Sequence, residues 1–190
     1  MAPPRAILSG GRREPATLSS EVDRLLADPR SEAFVESFAG QWLLARDVGT
    51  RETRLPAVDD ELRAAMQTEI YLYFTEFLRG ARPFDQFLTA DVNFVNARLA
   101  RHYGMDAAGL GAASVRVEDT HDTRKGFLGL AGPLFALAYA DYTWPSWRGR
   151  WVDLDLFCDA SLSFPGDAVH DGDEPMPTWR PPHFDSSSKG

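Results

Sequence analysis

Asp59-Asp60-Glu61-Leu62-Arg63-Ala64-Ala65-Met66-Gln67-Thr68-Glu69-Ile70-Tyr71-Leu72-Tyr73-Phe74-Thr75-Glu76-Phe77-Leu78-Arg79-Gly80 is the longest unbroken helical pattern in the chain. Leu62, Ala65, Met66, Ile70, Tyr73, Phe74, Phe77 and Leu78 recur at spacings of three and four, which is one face of an α-helix. Asp59 and Asp60 favour its positive end, and Gly80 is a natural stop. Glu69 is the one charge on that stripe. It reads either as a carboxyl whose pKa is raised by burial, or as a buried glutamate paired to an arginine or set at the edge of the stripe.

Upstream, Thr17 opens a helix with Leu18, Val22, Leu25 and Leu26 on one face. Asp28-Pro29 caps the next one, which carries Phe34, Val35, Phe38, Trp42 and Leu43 and is expected to run to about Arg46. Residues 47–58 read as a connection. Downstream, Phe84–Leu88 makes one short turn. Phe94, Val95, Leu99 and Tyr103 then read as a helical stripe stopped by Gly104. Ser114–Glu118 alternates with period two and is the one expected strand. A helix from Thr123 or Arg124 is expected to meet Pro133, and a last one, capped by Ser146, to run from Trp147 to about Phe157.

This pattern predicts a mainly α, bundle-like domain of five or six helices with at most a short strand pair. Residues 1–14 form a flexible N-terminus, 15–158 the helical domain, and 159–190 an acidic, Pro-rich, disordered tail. The expected core holds Leu26, Phe34, Phe38, Trp42, Met66, Ile70, Phe74, Phe77, Phe94, Leu99, Phe127, Leu130 and Trp151. The face from Phe127 to Tyr142 is the expected owner of any bare apolar patch. Over 190 residues the net charge is −8, which argues against a nucleic-acid partner, since a phosphate backbone needs a basic face. No apolar run is long enough to span a membrane. One cysteine, Cys158, excludes an internal disulfide and any cysteine-built metal or haem site. Met1–Arg13 holds too short an apolar run for a secretory signal.

Chemistry-bearing residues are sparse. His102 and His121 read as surface or capping histidines. Asp167, His170, Asp171, Asp173 and Glu174 lack calcium-loop spacing and read as a solvated acidic tail, so no metal site is expected. Gly109-Leu110-Gly111 precedes a strand instead of following one, which defeats a dinucleotide fingerprint. Ser186-x-x-Lys189 lies in a terminus that cannot desolvate the lysine. The densest feature is aromatic: Tyr142, Trp144, Trp147 and Trp151 interleave with Arg148 and Arg150. Trp144, Trp147, Arg148, Arg150 and Trp151 therefore form the candidate ligand-binding set, because indole rings stack on sugars and guanidinium fits carboxylate. The four-residue spacing of Trp147 and Trp151 also fits simple core packing. No catalytic residue is assigned.

Leu25–Arg30, Phe34–Leu43 and the phrase Thr89-Ala90-Asp91-x-x-Phe94-Val95-Asn96-x-Arg98-Leu99-Ala100-x-His102-Tyr103-Gly104 resemble the bacterial domain of unknown function 1592, to about residue 120. Arg124–Leu128 through Arg148–Val152 is similar to the start of its companion, domain of unknown function 1588, over 121–158. The resemblance implies a piece of a large extracytoplasmic protein with haem-attachment motifs elsewhere, and no established activity. The haem motif of such relatives is missing here, and the change of composition after Cys158 predicts a fragment or a truncated reading frame. The expected function is a non-catalytic scaffold or interaction domain. Its partners would be domains of the parent polypeptide or another protein, and it would hold no cofactor of its own. The alternatives are a carbohydrate-like ligand module at 142–151, or a hydrolase of unknown substrate using Glu69 or the Asp122 region.

Overall fold

The computed structural model describes residues 15–118, 124–140 and 142–159. They form seven α-helices and one antiparallel strand pair: α1 Pro15–Leu26, α2 Ser31–Trp42, α3 Ala45–Thr50, α4 Asp60–Leu78, β1 Val92–Val95, α5 Ala97–Tyr103, β2 Val115–Glu118, α6 Ala131–Ala136 and α7 Pro145–Trp151. The π-helical segment Val152–Leu156 continues α7. Residues 1–14, expected to be a flexible start, and residues 160–190 of the tail expected over 159–190 lie outside the described residues.

Helix α4 forms as its sequence predicts. Asp59 accepts from the Leu62 N–H at 2.7 Å, and Gly80 takes φ +71° just past the end. It is the axis of the domain, with α2, α3, α5, α6 and β1 all packed on it. Its apolar stripe is buried from Leu62 to Phe77, Glu69 included.

The mainly helical class stands as expected, but the second helix is divided. Leu44 adopts φ +63°, ending α2 and starting α3. The reason is geometric: nine residues on from Val35, at 3.6 per turn, Leu44 would point about 180° away from it. The left-handed turn brings Leu44 and Val48 back inside, and both are buried. Residues 47–50 are therefore helix where a connection was expected.

Val92–Val95 is strand where a helical stripe was expected. It pairs with β2 in the register Val92↔Glu118, Asn93↔Val117, Phe94↔Arg116 and Val95↔Val115. Asn96 forces the change, since its side chain caps α5 by accepting from the Leu99 N–H at 2.9 Å, and the cap needs extended backbone just before the helix.

No helix starts at Arg124. Gly126 (φ +65°) turns the chain, and the Gly126 and Phe127 amides donate to the Ala90 and Phe87 carbonyls at 2.9 and 3.0 Å. Pro133 does not kink α6; it sits in the first turn, where no N–H is required. Pro145, not a Ser146 cap, opens α7. The Trp42 indole N–H donates to the Asp155 carbonyl at 2.9 Å and ties the last segment to α2.

The core matches expectation at Met66, Ile70, Phe74, Phe77, Leu99, Phe127, Leu130 and Trp151. Phe38, Trp42 and Phe94 are half-buried. Phe87, not anticipated, is the hub, with Trp42, Tyr73, Phe77, Phe84 and Phe127 rings within 6.2 Å of its own. Two expectations fail at the periphery. Phe34 is exposed, and Leu26, the last residue of α1, is only half-buried because it faces the body across an open cleft. The bare apolar face is on α1, where Leu18 is 61% and Leu25 55% exposed, and not on Phe127–Tyr142, whose Phe127, Leu130, Phe135 and Tyr139 are buried.

Candidate functional site

The aromatic-arginine segment follows α6. Tyr139 stacks on Tyr142 at 4.5 Å and on Trp144 at 4.0 Å, and Trp144 stacks on Trp147 at 5.2 Å. Tyr139 and Trp144 thus have rings on both faces, and the ladder offers edges more than the open face a sugar ring needs. Of the five predicted residues, Trp151 is buried against Phe127 at 6.0 Å and belongs to the core. Trp147 and Arg150 line a slit of about 10 Å³ with Trp151, Leu154 and Asp155, which is room for about one water. Arg148 turns the other way and donates to the Leu134 carbonyl at 3.2 Å. Its buried Nε has no partner among the described residues, and burial holds its pKa down. The structure therefore brings Trp144 and Trp147 together and separates Arg148 from Arg150 and Trp151.

A second cluster surrounds Glu69, which is fully buried. Tyr103, at the end of α5, donates its hydroxyl hydrogen to Glu69 Oε1 at 2.6 Å. The Tyr103 hydroxyl oxygen in turn accepts from the Ala131 N–H at 2.7 Å, at the start of α6. Glu69 Oε2 has no hydrogen bond of ordinary geometry among the described residues. Burial pushes the carboxyl up to about 7. The Tyr103 hydroxyl, the Asn93 side chain, the Gly132 amide and the charge of Arg124 pull the other way. Burial and the neighbouring Glu69 hold the Tyr103 phenol far above its usual range. Arg124 lies over the Tyr103 ring, 4.9 Å from its centre. The raised-pKa reading of Glu69 fits its burial, and Arg124 acts through charge. Tyr103 is the partner that sequence reasoning missed: it sits on a packing stripe, and no local spacing links it to a residue 34 positions away.

The third feature is α1. Val22 and Leu26 face Leu78, Arg79 and Gly80 across an open cleft of about 510 Å³, and Leu18 and Leu25 face solvent.

His102 is exposed beside Tyr103, with its pKa held down first by burial and then by Arg124 and Arg98. Gly109–Ser114 is a connecting loop, in which the Gly111 carbonyl accepts from the Ala97 N–H at 2.9 Å. His121, Asp122, the 167–174 acids and Ser186/Lys189 lie outside the described residues. Among the described residues no group of His, Cys, Asp and Glu is placed to hold a metal, and no helix is long and apolar enough to cross a membrane.

Compared with known proteins, residues 5–105 match the model of a family described as PSD4, protein of unknown function (DUF1592). No curated protein and no solved structure matches the chain.

Proposed function

The chain belongs to the family of proteins of unknown function DUF1592, and on that premise we propose that it is a non-catalytic interaction domain whose α1 face docks another domain of a larger polypeptide. The observation that carries this is the state of α1. It has 12 residues and an apolar stripe of Leu18, Val22 and Leu25 in which every side chain is exposed. A helix of that length is marginal in water without a packing partner. The sealed position of Glu69 supports the same reading, since a catalytic acid must meet its substrate.

The resemblance of residues 121–158 to a companion domain supports the further reading that the partner belongs to an extracytoplasmic haem-bearing protein. This chain does not fit a covalently held haem: thioether attachment uses two cysteines, and Cys158 stands alone. Any haem would belong to the partner. Photo-crosslinking in the producing cell tests the proposal. Probes at Leu18 and Leu25 are expected to capture one polypeptide carrying Cys-x-x-Cys-His motifs, while a probe at Ser20, on the opposite side of α1, captures none. No capture, or equal capture from both sides, overturns it.

A second reading has one observation in its favour: Arg148, on the helix that also carries Trp147, has a buried Nε with no hydrogen-bond partner among the described residues. It is a site for a carboxylate-bearing saccharide. Quenching of tryptophan fluorescence by an acidic oligosaccharide, lost in Arg148→Gln, is its expected sign; no quenching counts against it.

A further inference from the structure

Glu69 lies fully buried on the seam between α4 and α6. Across it, α6 presents backbone: a Cβ added to Gly132 would fall 2.6 Å from Ile70 Cδ1 and 3.1 Å from the Met66 carbonyl oxygen. Bulk solvent does not reach Glu69 while this seam is closed. The Tyr103 hydroxyl spans the same seam, donating to Glu69 on α4 and accepting from Ala131 on α6. We propose that Glu69 and Tyr103 form a pH-responsive latch. A neutral Glu69 keeps the α4–α6 seam closed, and its ionisation draws water in and frees the segment that carries the aromatic ladder.

The groups facing Glu69 are Tyr103 from α5, Asn93 from β1, the Gly132 amide from α6 and Arg124 from the turn before α6. His102, whose pKa burial holds below its usual value, is the neighbouring imidazole, and it acts with the opposite sign. Opening solvates Glu69 and returns its carboxyl from about 7 toward its ordinary 4.5. Opening therefore rises by up to about tenfold per pH unit between those values and levels off above. For His102, held low in the closed form, opening is favoured by acid.

Hydrogen exchange of the α6 amides in the whole chain, corrected for intrinsic rates, reads this out. The expected profile climbs with pH and levels off near neutrality. Glu69→Gln flattens it, and His102→Gln leaves the climb in place. Tyr103→Phe removes a donor that favours the charged form, so the levelling point moves to higher pH. A climb that survives Glu69→Gln, a climb abolished by His102→Gln, or a flat wild-type profile overturns the latch. Should Glu69→Gln fail to fold, the levelling point decides: it moves to higher pH in Tyr103→Phe and stays in place in His102→Gln, and a Tyr103→Phe profile that does not move overturns the latch.

Discussion

Gly126 presses on Leu88 so closely that a Cβ at Gly126 would fall 1.9 Å from the Leu88 carbonyl oxygen. The backbone there is also left-handed, at φ +65°. Gly126→Ala meets both obstacles, and neither relaxes without breaking the amide bonds that join this turn to Phe87 and Ala90. The expected loss exceeds about 3 kcal/mol, read as a fall in denaturation midpoint. Gly104→Ala is the control. Its φ is +72° but the space around it is open, so the cost is about 1 kcal/mol.

Stability should fall as pH rises. Glu69 has a folded value near 7 against an ordinary 4.5, so the unfolded chain releases the proton first. The contribution of Glu69 is fully present below 4.5, is lost between 4.5 and 7, and stays lost above. The total is about 3 kcal/mol. Urea midpoints taken across that range check it; a midpoint that rises with pH, after subtraction of the Glu69→Gln profile, refutes the assignment.

Tyr73 is buried and donates its hydroxyl hydrogen to the Phe87 carbonyl at 2.8 Å. Tyr73→Phe keeps the ring contacts with Phe77, Phe87 and Phe127 and removes only that donor. Leaving a buried carbonyl unpaired costs about 1–2 kcal/mol. Equilibrium unfolding of the single variant is the measurement.

On α1 the expectation is reversed. Leu18→Ser and Leu25→Ser are expected to change the stability of the isolated chain by less than about 0.5 kcal/mol each. Leu43→Ala, at a fully buried position, is expected to cost about 2–5 kcal/mol. If the α1 variants unfold the isolated chain, the helix packs on the body and is not a docking face.

What could be read in the sequence was local. Asp59 and Gly80 mark the ends of α4 because capping and left-handed φ are chemical properties of single residues. The break at Leu44 was hidden, since no glycine or proline announces it and only the need to bury Leu44 and Val48 forces it. Val92–Val95 was hidden for a related reason: Phe94, Val95 and Leu99 match a helical period by accident, while the deciding pairing with Val115–Glu118 is long-range. The Glu69 anomaly was visible as one charge on an apolar stripe. Its bond to Tyr103 was not, because it depends on how α5 docks. In the aromatic segment the residue types were legible, but the division of Arg148 from Arg150 and Trp151 follows from which side of α7 faces α6.

Strand β1 falls within the stretch the family pattern recognises, while β2 and the rings of Phe127 and Trp151 fall beyond it. The recognisable module and the cooperative unit have different borders. A polypeptide ended at Met105 would leave β1 with a raw edge and one flank of α4 wet. Anyone excising this domain should cut after Leu156, past the carbonyl that Trp42 holds.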